Sequence, residues 1–431
     1  MVNTRPSSPS MADPIIIGAG PIGATLALAL AKNGIPVTLL DKGCHQDILQ
    51  DDFDRRAYAL SLGTITFFKE LGVWDAMKPH AQPIQNIWVV AEKTNSPLVF
   101  DHADLSPAPM GYIIESQWVL RALYDHMTRT PQITWQQKTT VAQITQDAHT
   151  ATVHLERQLD TPAEGTTAMP LQTPLIIAAD GRFSALAKDT SIPIKRWSYD
   201  QYAVVCPLAH TIPHEGWAFE LFTTHGPFAI LPMVDRPADH KAEGVQHMSS
   251  LVWSVPKVYA EFLLSQTPQA FERILKNRFG NSLGTLSLAG ARRSYPLSGI
   301  IMKQFYEGRI AFAGDAICGI HPVAGQGLNL GIQGVGTLAQ IIIDAYQLGL
   351  DPGREEVLQQ YHRGHRGVAR IMAAGSHSIV KMFEHPSPLI RRLMGKGLGM
   401  VNQAPFFKRH LMRYAMGIHH TRPAVMGKSP L

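Results

Sequence analysis

The chain has 431 residues, 45% of them hydrophobic and 17% charged, and a formal net charge of +5. That balance belongs to a soluble globular protein too long for one simple core, so two intertwined domains are expected. Cys44, Cys206 and Cys318 are too few and too scattered for a disulfide framework or a zinc site, which points to reduced thiols in a reducing compartment. Residues 1–13 are rich in Ser and Pro and lack the apolar core of a secretory signal, so a disordered tail is expected there. Pro14 to Ala31 is uncharged and near membrane-spanning length, but Gly18, Gly20, Pro21 and Gly23 break it into strand, turn and helix.

That first unit has the form of a dinucleotide turn. A strand precedes Gly18-x-Gly20-x-x-Gly23, a helix from Ala24 to Asn33 follows, and Asp41, with Lys42 beside it, closes the next strand about 20 residues on. Gly18 allows the tight turn, Gly20 admits a pyrophosphate close to the backbone, and Gly23 lets helix and strand pack closely. Asp51, Asp52 and Asp54 read as solvated loop acids ahead of Arg55 and Arg56. Val89 to Phe100 is expected to form a hairpin, and Thr134 to Val141 with Thr150 to Glu156 a small meander ending in the loop 161–170. Asp180-Gly181 ends a second apolar strand, and Ser198 to Ser254 alternates as antiparallel strands with one wet face. Gly314-Asp315 ends a third, and His321-Pro322-x-Ala324-Gly325-Gln326-Gly327-x-Asn329 then opens a helix whose Leu328, Leu330, Ile332, Val335, Leu338, Ile341, Ile342 and Ala345 recur at helical spacing.

Three strand-end turns of this kind suit FAD. Asp315 would accept from a ribityl hydroxyl, and the N–H groups of Gly325 to Asn329 would point at the N1 and O2 edge of a reduced flavin. In order and spacing these segments resemble the group A FAD-dependent aromatic monooxygenases, and most closely the ubiquinone-biosynthesis hydroxylase family. The likeness runs over nearly the whole chain. It extends to Arg55-Arg56 through Ser61, Leu71 to Trp74, Gly226 to Pro232, Val252 to Ser254 and Tyr295 to Leu297. Two positions depart from the family pattern: Ile317-Cys318 stand where Ala-His is usual, and Ala187 stands where an Arg is expected after Asp180-Gly181.

The resemblance implies an α/β fold in which a Rossmann-like FAD domain (14–80, 112–185, 290–375) interleaves with an antiparallel-sheet substrate domain (81–111, 186–289), followed by a helical region, 376–431. It implies non-covalent FAD, O2, and NAD(P)H as a transient donor, since no second dinucleotide turn is present. The reaction would be hydroxylation of a polyprenylated phenol through a flavin C4a-hydroperoxide, with the cofactor doing the hard chemistry. One of Arg55 and Arg56 would lie near the flavin. Phe219, Phe228, Leu231 and Trp253 are candidate substrate contacts, or simply core aromatics and aliphatics. His321 is the candidate base, or a residue that shapes its turn. A soluble aromatic substrate, or a non-catalytic flavin-binding role in a lipid-biosynthetic assembly, remains open on the same motifs.

Residues 386–431 hold eight Lys or Arg and no Asp or Glu, leaving −3 for the remainder. Helical stretches from Leu389 to Val401 and Phe406 to Met416 mix Arg391, Arg392, Lys396, Lys408, Arg409 and Arg413 with Leu, Met and Phe. Such a tail suits an anionic bilayer or quinone-biosynthesis proteins, which would put the enzyme in the cytoplasm, peripheral on the inner membrane; a helical cap packed on the flavin domain is the other reading. No nucleic-acid motif accompanies the charge. His362-x-x-His365 lacks a third ligand at metal spacing, His419-His420 lies in the tail, and no metal is expected.

Overall fold

The computed structural model describes residues 13–49, 56–92, 97–156, 169–237, 245–385, 387–418 and 422–428. The expected N-terminal tail (but for Asp13), the acids Asp51, Asp52 and Asp54, Arg55, His419, His420 and the side chains of Arg391 and Arg392 lie outside the described residues, as does most of the 161–170 loop.

Ile15–Ile17, Val37–Leu40, Ile176–Ala178 and Ile310–Phe312 are short, mostly buried strands, and they pair in parallel. Strands buried on both faces are what a sheet covered by helices requires. Ile133–Gln136 extends this sheet beside Val37–Leu40. It does not begin the meander, because Lys138 takes a left-handed φ of 53° and the N–H groups of Lys138 and Thr139 turn back to Gly43 and Asp41. The meander is instead Val141–Gln146, Ala151–Leu155 and Leu171–Thr173.

Among the described residues the second large sheet has nine strands, three of which pair with the 17-residue strand Ile194–His210. Asn86–Ala91 and Leu98–Asp101 join it as the hairpin. Arg293–Met302, in a segment assigned by sequence to the flavin side, also pairs with Ile194–His210. Alternation then sorts the side chains. Val204, Cys206, Phe228, Ile230, Leu251 and Trp253 face outward, where the helices Lys257–Ser265 and Pro268–Phe279 cover them. Ala209, Ala218, Met233 and Met248 face inward, toward the bridging three-stranded sheet that contains Ala57–Ser61.

Candidate functional site

Three turns open at the ends of the parallel strands. In the first, Gly18 adopts φ 106° and a Cβ there would meet the Ala179 carbonyl oxygen at 2.5 Å; a Cβ on Gly23 would collide with the Gly18 carbonyl. Gly20 is different, because a Cβ there would meet nothing within 4 Å. The Asp41 carboxylate accepts from the Ala19 N–H and, at 2.6 Å, from the Gly43 N–H, which fixes the turn. Lys42 is exposed beside it. Helix Pro21–Lys32 starts at Gly20 with Pro at its first position and no side-chain cap, so its first-turn N–H groups face open space suited to an anion.

In the second turn Asp180 caps Ala185 through Oδ2 at 3.0 Å, while its Oδ1 is buried without a partner among the described residues. Gly181 takes φ 85°. Arg182, which sequence reasoning passed over, holds this turn to the third. Its Nε and Nη2 donate to Asp315 Oδ2 at 3.2 and 3.0 Å, Nη1 to the Ser298 carbonyl at 3.0 Å and Nη2 to the Ile320 carbonyl at 3.3 Å. The Arg missing at Ala187 thus has a cation nearby that bridges the same region, and the only sequence sign of it was a basic residue directly after Asp180-Gly181.

In the third turn Gly314 and Gly325 take φ 64° and 62°, and a Cβ on Gly325 would press on the Ala59 Cβ at 2.7 Å. Pro322 begins the turn. Its carbonyl accepts from the Gly325 N–H at 2.8 Å, so that N–H is not available to a flavin, contrary to expectation. The open run is Gly327, Leu328 and Asn329, the first turn of the helix Gly327–Gln347, which has no side-chain cap at Gln326. A Cβ on Gly327 would meet nothing within 4 Å. The Asn329 side chain is a clamp: it accepts from the Ser61 N–H and the Thr64 hydroxyl, both at 2.9 Å, and donates to the Ala59 carbonyl at 2.8 Å. Only its backbone N–H is left for a cofactor. Uncapped helix starts, clear space at Gly20 and Gly327 and the orphaned Asp180 Oδ1 together fit a flavin dinucleotide.

His321 is fully buried. Its Nδ1 accepts from the Val323 N–H at 3.1 Å, so Nε2 bears the proton and donates to Gln201 Oε1 at 3.3 Å. Gln201 in turn donates to the His225 carbonyl at 2.9 Å and to Glu384 at 2.5 Å. Burial, with Arg182 and Lys381 adding to it, pushes the His321 pKa down to about 3. Both ring nitrogens are engaged in shaping the turn, and the ring is neutral.

The four candidate substrate contacts separate. Phe228 and Trp253 meet edge-on at 5.2 Å on the outward face, and Phe219 packs with them against Phe279 at 5.2 Å. These three do not line the space above the flavin turn, because strand alternation points them under the outer helices. Leu231 lies on the inward face near Met233 and Met248. Arg56 sits with its guanidinium 4.7 Å from the ring of Tyr295. Behind the helix start, Ser61, Thr64, Asn329, His365 and Tyr414 line a cavity of about 180 Å³. Burial pushes the His365 pKa down to about 4. No group of three metal-ligating side chains occurs among the described residues.

The profile of the FAD binding domain family matches residues 11–376. The ubiquinone hydroxylase UbiL of Rhodospirillum rubrum is 34% identical over 415 residues, covering 95% of this chain and 91% of that protein. The 3-demethoxyubiquinol 3-hydroxylase of Escherichia coli is 27% identical, over 94% of this chain and 98% of that one. Among solved structures, p-nitrophenol 4-monooxygenase PnpA from Pseudomonas putida superposes with a TM-score of 0.74 at 17% identity, covering 96% of this chain and 99% of its own. PqsL of Pseudomonas aeruginosa in complex with 2-aminobenzoylacetate gives 0.72 at 19% identity, over 90% and 99%. At that identity both speak to the fold alone.

Proposed function

The chain belongs to the FAD-binding-domain family of flavin-dependent monooxygenases, and from that premise we propose that it hydroxylates the aromatic ring of a polyprenylated phenol in ubiquinone biosynthesis. FAD held at these turns and reduced by NAD(P)H would supply the O2-activating chemistry, one oxygen atom going to the ring and the other to water. The protein binds, orients and dries. The Gly18–Gly23 turn and the start of helix Pro21–Lys32 hold the pyrophosphate. Asp315, braced by Arg182, meets the ribityl chain, and the N–H groups of Gly327 to Asn329 stabilise negative charge on the reduced ring system. His321 keeps the turn in shape.

The observation that carries this reading is the inward sheet face. Met110, Met233, Met248, Met412 and Met416 are buried in one cluster with Ile84 and Leu62, against the strand that receives the flavin turn. Unbranched, polarisable side chains suit a long, flexible isoprenoid tail. The test is the extracted lipid profile of a deletion strain together with turnover by the purified holoprotein. An accumulated prenylphenol lacking one ring hydroxyl, and NAD(P)H oxidation coupled to its hydroxylation, are expected. Normal ubiquinone with an altered soluble aromatic would overturn the assignment.

The same reading places the protein on an anionic membrane surface. No described helix is long and apolar enough to cross a membrane. What favours docking is that Met400, Phe406 and Phe407 are exposed on the last two helices, with Lys396, Arg409 and Arg413 exposed among them.

A further inference from the structure

Glu220 stands in the inward face of the large sheet, and none of the flavin motifs accounts for it. Backbone pairing puts Val89, Glu220, Ala229, Val252 and Val205 in one cross-strand row. Three of those neighbours, Val89, Val205 and Val252, pack in a cluster with Val323, the residue of the flavin turn that follows Pro322. Along its own strand Glu220 is flanked on the same face by Ala218, in the methionine-rich cluster, and Phe222, in the cluster around Val323. It therefore occupies the junction between the apolar region suited to a prenyl tail and the turn that receives the flavin.

We propose that Glu220 is the acid–base group that contacts the hydroxyl of the aromatic substrate, an assignment that rests on the phenol-hydroxylase reading. The carboxyl has no hydrogen-bond or ion-pair partner among the described residues, so its lone pairs are open to a ligand. Its surroundings are apolar: Val89 and Ala229 across the strands, Ala218 and Phe222 along its own, and Val323, Val380, Phe383 and Leu398 in the cluster that joins this face. The charges on those elements are held elsewhere, Glu92 by Arg278 and Lys381 by Glu384, which also accepts from Gln201, while Lys396 is exposed. The nearest charge in the row is Arg293, four strands away or roughly 19 Å. The residue is only half-covered, yet burial alone raises its pKa to about 7, with no charge contributing. The carboxyl is partly open, has no protein partner among the described residues and is set between the two apolar clusters, so a ligand hydroxyl is the group that would satisfy it. A base in that range is poised to take and return a proton near neutral pH.

In the step itself the substrate O–H proton moves to Glu220 as the ring carbon bonds to an oxygen derived from O2; the O–O bond breaks, its electron pair goes to the second oxygen, which leaves as water once protonated, and the ring, oxidised by two electrons, is left as a neutral ketone. When that carbon loses its hydrogen to water as H⁺, the aromatic ring re-forms and Glu220 returns its proton to the oxygen. The carboxylate ends as it began.

The test compares the flavin-loaded wild type with Glu220→Gln, following perturbation of flavin absorbance by an alkylphenol and by its methyl ether from pH 5 to pH 9. Wild type is expected to prefer the phenol over the ether at least tenfold at pH 8, and to lose most of that preference below pH 6; the variant should show no pH dependence of the preference. A second reading is thermal. The folded-state pKa lies above the unfolded one, so ionisation costs stability as pH rises through 7, and Glu220→Gln should melt with wild type at pH 5 but above it at pH 8. Phenol binding with the same pH dependence in both proteins, or a melting difference independent of pH, overturns the assignment of Glu220 alone. Failure of loaded wild type to bind any phenol overturns the phenol-hydroxylase reading and this assignment with it.

Discussion

Among single residues, Asp315 carries the clearest expectation. Its Oδ2 is held by Arg182 at 3.0 Å, so on the proposed role flavin affinity is expected to respond to both. Asp315→Ala should weaken FAD binding by about 1.5 to 3 kcal/mol, the scale of a charge-assisted hydrogen bond, which is roughly ten- to a hundredfold in Kd. Arg182→Met should weaken it in the same direction and lower apoprotein melting as well, because it frees the Ser298 and Ile320 carbonyls along with Asp315. Titration of apoprotein with limiting FAD, followed by quenching of flavin fluorescence, checks both; unchanged affinity in Asp315→Ala would remove it from the site. The buried histidines set a pH limit. His321 and His365 have folded-state pKa values of about 3 and about 4, below the value of about 6.5 in an unfolded chain. Their contribution is therefore complete above pH 6.5 and is lost as pH falls toward those values, since the unfolded state takes up the protons first. Denaturant midpoints should fall steeply from pH 6.5 to pH 4, and His365→Leu should flatten that slope; an equally steep slope in the variant would count against it. Asp315 and His321 could be named from their motifs, because a strand-end acid and a His-Pro before a Gly-rich turn are local patterns. Arg182, Gln201 and Glu220 could not, since the first two take their roles from Asp315 and His321, 133 and 120 positions away, and the third from a sheet face that only pairing defines.

At the level of elements, the glycine turns were legible because their requirement is local: a backbone angle, a close approach, a helix start. The structure separates their uses and makes them testable. Gly20 has φ −59°, which any residue adopts, and a Cβ there meets nothing within 4 Å of protein. Gly20→Ala should leave apoprotein stability unchanged while lowering FAD affinity at least tenfold, because the added methyl stands where pyrophosphate must approach. Gly23→Ala drives a Cβ into the Gly18 carbonyl, so the helix must shift and the fold itself should lose several kcal/mol. Circular-dichroism melts of both apoproteins beside flavin titrations decide this; a destabilised Gly20→Ala apoprotein would mean that the turn is closed rather than open. Strand faces were less legible. Phe219, Phe228 and Trp253 read from the sequence as either pocket or core aromatics, and alternation gives each strand two apolar faces here, one under helices 257–279 and one over the flavin turn. When both faces are buried, composition cannot say which is which.

For the whole molecule, the parallel sheet draws its strands from widely separated parts of the chain, as the spacing of the three turns requires, while Arg293–Met302 pairs with Ile194–His210 in the other large sheet. The C-terminal region shows why both readings of its sequence had force. Met412 and Met416 are buried in the inward cluster, so helix Pro405–Ala415 is a cap; its other side exposes Phe406, at 89%, with Arg409 and Arg413. Lys408 belongs to the cap, because its ammonium is paired to Asp104 at 2.6 Å and donates to the Val99 carbonyl at 3.0 Å. These roles predict different consequences. Replacing Lys396, Arg409 and Arg413 by Ala should reduce binding to anionic vesicles more than tenfold at low ionic strength, taking on the order of 1 kcal/mol per basic group near the surface. Raising the salt should mimic the triple variant, because the attraction decays within a Debye length. Phe406→Ser should weaken binding while preserving its salt dependence, since it removes apolar burial rather than charge. Lys408→Ala should lower the melting temperature and leave vesicle binding nearly as it was. Co-sedimentation with phosphatidylserine vesicles, with bound flavin measured as a check on folding, distinguishes these outcomes. A triple variant that sediments like wild type, with flavin intact, would show that the basic outer face serves only to keep the cap solvated.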